Sequence, residues 1–266
     1  MNFYIRRIHK KQNIFKMDIL KKNIGLCHIL LFVSILFNFV LGGFLYKSEL
    51  QGHFIKKILI KYGIEKADIK DRPDYWAIDG WNNTIEKLDY ECDVLFFGHS
   101  QIAMSDFRKY FPGKKIITSG YPGDNVEGML LRVRQIRALK PKKIFLLCGV
   151  NSLGFSDNLF KSKYNLLINS IKRASPKSKL YIFNILPIIP GKTLGEDAKR
   201  KILDRNKFLA NYSKRNNLTL IDLYSLYKDK EGNLIKAYTK DGIHLTPPNR
   251  MISGLKLLNL MWNNVI

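Results

Sequence analysis

Residues Asp93-Val94-Leu95-Phe96-Phe97-Gly98-His99-Ser100 decide how this chain folds: a short apolar run stops at a glycine, an imidazole and a hydroxyl, and a helical pattern starts at once. Four more such runs follow, at Lys115–Thr118, Ile144–Cys148, Leu180–Asn184 and Leu218–Asp222. Runs this continuously apolar fit strands covered on both faces, which implies parallel pairing. Helix candidates lie between and after them, at about 101–110, 125–139, 158–174, 196–216 and 248–263. The alternation predicts an α/β fold, a doubly wound sandwich around a five-stranded parallel sheet. The common strand order for such a sheet is 2-1-3-4-5, with ligands at the carboxyl ends of strands 1 and 3, where the winding reverses.

Outward from this core, the whole chain has 266 residues, 46% apolar and 25% charged, which excludes disordered and low-complexity classes. Three cysteines are too few for a disulfide scaffold. Cys92 and Cys148 would stand at opposite ends of neighbouring strands, ~15 Å apart at ~3.3 Å per residue, so both are expected to be free thiols.

The first 22 residues carry seven basic side chains and one acid, and residues 23–46 contain no Lys, Arg, Asp or Glu. At ~1.5 Å per residue this run reaches across the ~30 Å hydrocarbon layer. The expected organisation is a basic cytoplasmic tail (1–22), an uncleaved transmembrane signal-anchor helix (23–46), a juxtamembrane stalk (47–90) and a catalytic-type domain (91–266). The density of basic residues before the span places the N-terminus in the cytoplasm and the domain outside it. Beyond residue 22 the chain still holds 38 basic and 21 acidic residues, about +17. These charges are scattered and no nucleic-acid motif accompanies them, so the expected partners are a membrane and an ester substrate rather than nucleic acid.

Three strand exits and one late loop carry the chemistry. Ser100 would sit at a helix N-terminus, where N–H groups favour developing negative charge, although serine is also a common N-cap. Asn151, three residues beyond Cys148, offers a side-chain amide of the kind that donates to an oxyanion, and is equally at home in a turn. The second exit, Gly120-Tyr121-Pro122-Gly123-Asp124, offers the unobstructed N–H of Gly123. Near the end of the chain Asp241 precedes His244 by three residues, a spacing at which a carboxylate can orient an imidazole that serves as a general base.

Four blocks in this order, Phe97-Gly98-His99-Ser100, Gly120–Asp124, Gly149-Val150-Asn151 and Asp241-Gly242-Ile243-His244, resemble the SGNH or GDSL hydrolases over about residues 92–262. Linking segments such as Tyr110–Lys115, Ala174–Lys179 and Leu220–Tyr224 are similar to the branch of platelet-activating-factor acetylhydrolase. The resemblance implies Ser100 as nucleophile, His244 as base and Asp241 as its orienting acid. It implies an oxyanion hole from the Ser100 and Gly123 N–H groups and the Asn151 amide. Apart from the resemblance, the five histidines show no paired metal-ligand spacing and nothing in the sequence identifies a cofactor. The family usually has Asp at the positions of His99 and Ser152, so the support around Ser100 and Asn151 must be rebuilt here. G-x-S-x-G is absent because residue 102 is Ile, which argues against the larger α/β-hydrolase fold.

The expected activity is that of a membrane-anchored serine esterase removing acetyl or another short acyl group from an extracytoplasmic carbohydrate or lipid. Two alternatives remain open on sequence: acyl transfer to a glycan through the same residues, and a catalytically silent module that binds an anionic envelope polymer.

Overall fold

The computed structural model describes residues 74–247, apart from 89, 109–110, 192–193 and 196, together with Ser34 and Asn38. The expected tail, the span at 23–46 apart from Ser34 and Asn38, the start of the stalk and the helix at 248–263 lie outside the described residues. The chain divides into two units, residues 1–68 and 69–266. Among the described residues no helix is long and apolar enough to cross a membrane.

In the second unit the elements run α1 (Tyr75–Glu86), β1 (Val94–Gly98), α2 (Ser100–Ala103), β2 (Ile116–Gly120), α3 (Val126–Leu139) and β3 (Lys143–Leu147). They continue with α4 (Asp157–Ala174), β4 (Lys179–Phe183), α5 (Asp197–Arg215), β5 (Thr219–Ile221) and α6 (Leu223–Tyr227). The sheet is fully parallel in the order β2-β1-β3-β4-β5, as the strand pattern predicts. Gly98 pairs with both Gly120 and Leu147, so the exits of β1, β2 and β3 lie level at one edge.

Every residue of β1 is buried because side chains alternate between two cores. Leu95 and Phe97 join the helical stripes of α3 (Met129, Val133, Ile136) and α4 (Tyr164, Leu167, Ile168, Ile171) on one face. Val94 and Phe96 join Ile102, Phe107, Phe145, Phe183 and Leu223 on the other. On that second face Phe96 stacks on Phe107 with ring centroids 3.7 Å apart, and on Phe145 at 5.0 Å. A fully buried side chain of this size is worth about 1.5–3 kcal/mol, so the two layers are what hold the sheet.

The structure shortens one expected helix and adds two. The pattern at 101–110 yields only the four residues of α2, because the Ser105 hydroxyl takes the Gln101 carbonyl (2.7 Å) and the chain then turns Phe107 and Phe111 into the core. α6 forms where Asp222 leaves β5 and caps it, accepting from Ser225 N–H at 3.0 Å. α1 falls within the segment expected as a stalk and docks on α3. Asn82 donates to the Leu131 carbonyl and accepts from Gln135, while Arg134 reaches Asp79, Asn83 and Glu86 at 2.5–2.9 Å.

Candidate active site

β1 delivers its chain into the site through a sharp exit. Gly98 ends the strand, His99 caps α2 by accepting the Gln101 N–H at its Nδ1 (3.5 Å), and Ser100 is the first helical residue. Gly120, level with Gly98 on β2, lets this turn pack closely, since a Cβ there would collide with the backbone of Ala103.

Ser100 Oγ lies 2.8 Å from His244 Nε2, and His244 Nδ1 lies 2.6 Å from Asp241 Oδ2. The other Asp241 oxygen accepts the N–H groups of His244 (2.7 Å) and Ile243 (2.9 Å), so one carboxylate fixes both the ring and the backbone that carries it. Burial alone would raise the Asp241 carboxyl; the hydrogen bonds from the His244 ring and from the two N–H groups outweigh it and hold Asp241 well below the usual range. With Asp241 at Nδ1, Nε2 is the nitrogen left to accept the Ser100 proton. Gln101 ties the two loops together by donating to the Ile243 carbonyl (2.8 Å) and accepting from Leu245 N–H (3.4 Å).

The other two expected residues stand on the same cavity, of about 260 Å³, as Ser100 and His244. Gly123 lines it from the β2 exit, in a left-handed conformation (φ +76°) that favours glycine. Asn151 lines it from the turn after β3, its amide oriented by donation to the Asp124 carbonyl at 3.0 Å. That turn depends on Gly149, where φ is +143° and a Cβ would press into Ile185. All five sequence-predicted residues are therefore gathered at the carboxyl edge of the sheet.

The two departures, His99 and Ser152, are both accommodated. His99 is 2% exposed, and burial, with the neighbouring His244 imidazole and the positive Arg132, pushes its pKa down to about 3, so it caps α2 as a neutral ring. Ser152 is buried and its hydroxyl accepts the N–H of Val126, the first residue of α3.

Sequence reasoning missed three supporting side chains. Arg132 is fully buried, pairs with Asp124 (2.7 Å), and donates to the carbonyls of Gly98 (2.8 Å) and Ser119 (3.1 Å), joining the β1 and β2 exits. Arg205 donates to the carbonyls of Gly149 (3.1 Å) and Phe155 (3.0 Å), closing both ends of the loop that bears Asn151, with its guanidinium 4.2 Å over Phe160. Gln101 is the third. Arg132 and Arg205 fall in the apolar stripes Met129/Val133/Ile136 and Ile202/Leu209/Tyr212, and a lone charge inside such a stripe is the signal that could have found them.

The sequence profile of the GDSL-like lipase/acylhydrolase family matches residues 78–248. Similar solved structures include a GDSL-like lipase from Bacteroides thetaiotaomicron (21% identity, 73% of this chain and 98% of that one, TM-score 0.61). Another is a Streptococcus pneumonia protein described as a platelet activating factor (19% identity, 82% and 99%, TM-score 0.62). A third is an acetyl xylan esterase (21% identity, 65% and 99%, TM-score 0.51). No curated protein matches the chain in sequence. With the profile spanning most of the chain and the strand order of the fold in place, the protein belongs to the GDSL or SGNH family of ester-hydrolysing enzymes.

Proposed function

We propose that the protein is a serine acyl hydrolase in which Ser100 is the nucleophile, His244 the general base and Asp241 its orienting acid. The observation that carries this reading is the unbroken relay of 2.8 Å and 2.6 Å from Ser100 Oγ through His244 to Asp241. As Ser100 Oγ attacks the ester carbonyl, its proton passes to His244 Nε2, and Asp241 stabilises the imidazolium. The negative charge on the former carbonyl oxygen is met by the N–H groups of Ser100 and Gly123 and by the Asn151 amide. His244 then protonates the leaving alcohol, which departs and leaves the acyl group on Ser100. A water molecule, deprotonated by His244, attacks this acyl-enzyme, and the carboxylic acid leaves as Ser100 recovers its proton.

The substrate in this reading is a short acyl ester of a carbohydrate or a lipid. The linking segments similar to platelet-activating-factor acetylhydrolase support the lipid side, and the acetyl xylan esterase named above supports the carbohydrate side. The basic tail and the uncharged run at 23–46 support a single-pass anchor with the N-terminus in the cytoplasm and the domain outside it.

The test is p-nitrophenyl ester hydrolysis by the full-length protein in detergent, beside Ser100→Ala and His244→Ala. The reading expects hydrolysis that falls at least a thousandfold in both variants, on the order expected when a triad member is removed. Wild-type rates in either variant would overturn it.

A further inference from the structure

We propose that the cavity beside Ser100 is built for a linear acyl chain longer than acetyl, of about four to eight carbons, judged from its volume against ~30 Å³ per water molecule. The proposal rests on the serine-hydrolase reading above. The cavity of about 260 Å³ takes its polar lining from Ser100, His244, Asn151, His99 and Gln101. The larger part of the wall is hydrocarbon, from Val150, Ile185, Leu186, Ile188, Leu194 and Ile243.

The backbone of that wall is turned to other uses. Asn206 satisfies both polar groups of Ile185, accepting its N–H and donating to its carbonyl at 2.8 Å each. The Ile188 carbonyl accepts Leu234 N–H (3.2 Å), and Ile189 N–H donates to the Gly242 carbonyl (2.8 Å). A chain running past the end of β4 without strand pairing would ordinarily offer amides to a ligand; here several are spent on Asn206, Leu234 and Gly242.

A sugar ring pressed against such a wall would lose hydrogen bonds to water and recover few, whereas an alkyl chain loses none. Space for roughly nine waters at ~30 Å³ each is far more than the single methyl of an acetyl group fills. A longer chain would displace that water from the apolar wall, and the gain is about 0.8 kcal/mol for each methylene buried, or about fourfold. The alcohol part of the ester, in this arrangement, remains outside the cavity.

The experiment is kcat/KM of the full-length protein for p-nitrophenyl esters from acetate to dodecanoate, with the alcohol held constant. The expected profile rises about fourfold per methylene, peaks between butanoate and octanoate, and falls beyond. Leu194→Trp, which narrows the cavity, lowers the octanoate-to-acetate ratio, and Ile188→Ala, which widens it, moves the peak to longer chains. Fluorophosphonate labelling of each variant counts the folded sites. A profile that is flat or falls from acetate upward overturns the proposal, as does a peak that neither variant moves. Ser100-independent hydrolysis would instead overturn the underlying reading, so the two failures are told apart by Ser100→Ala in the same series.

Discussion

Replacing His99 by Asn removes a pH-dependent weakness of the fold. His99 is buried as a neutral ring whose pKa is pushed to about 3 by burial, by the neighbouring His244 imidazole and by the positive Arg132, whereas an unfolded histidine titrates near ~6.5. Between these values the unfolded chain binds a proton that the folded chain does not. Stability is therefore complete above about pH 6.5 and is lost as the pH falls toward 3, at about 1.36 kcal/mol per pH unit. From pH 7 to pH 5 the His99 contribution to this loss comes to about 2 kcal/mol. His99→Asn keeps an N-cap acceptor for the Gln101 N–H and carries no titrating group. Urea unfolding of the full-length protein in detergent, followed by tryptophan fluorescence at pH 7 and pH 5, should show wild type losing about 2 kcal/mol more than His99→Asn. Equal losses in the two proteins would refute the assignment of His99 as a buried neutral cap.

Other expectations come from the supporting side chains. Asn151→Ala should lower kcat by ~100- to 1,000-fold, the usual effect of losing one oxyanion donor; a change under threefold in steady-state ester hydrolysis would remove Asn151 from the oxyanion site. Arg205→Met leaves the Phe155 carbonyl without its Arg205 donor, worth about 1–3 kcal/mol, and leaves the Gly149 carbonyl with the Ser152 N–H (3.1 Å) alone. It should reduce stability in urea and lower kcat more than it alters KM when rates are normalised to labelled Ser100; unchanged kcat per labelled site would show that the loop does not need this clamp. Cys92 and Cys148 are free and buried, with burial raising Cys92 to about 12 and Cys148 higher still. Peptide mapping should find both unmodified by an aromatic disulfide reagent in the native protein and modified in urea; rapid native reaction at either would contradict its burial.

What was legible in the sequence follows from how strongly one kind of interaction dominates a segment. β1 to β4 are apolar runs with no competing pattern, so their place and parallel pairing could be read directly. α1 could not, because Gly80, Asn82 and Asn83 are weak helix formers and the helix is secured by side chains of α3 more than fifty positions later in places, such as Arg134 to Asp79. α2 was overestimated because the Ser105 hydroxyl competes for a helical carbonyl, which periodicity does not register. In the site, Ser100, Gly123 and Asn151 were visible because strand exits are where chemistry is expected in such a sheet, and Asp241 and His244 because three residues is a natural span from a carboxylate to the histidine it orients. Arg132, Arg205 and Gln101 were hidden because their residue types are ordinarily solvent-exposed, and only the tertiary structure supplies the carbonyls that bury them.

The most direct measurement is mass mapping of a fluorophosphonate adduct on the full-length protein in detergent, with His244→Ala labelled in parallel. The account predicts a single phosphonyl group on Ser100 in wild type and labelling slowed at least a hundredfold in His244→Ala, because Nε2 is the nearest base to Oγ at 2.8 Å. An adduct on another residue, or labelling of Ser100 at the same rate without His244, would contradict it.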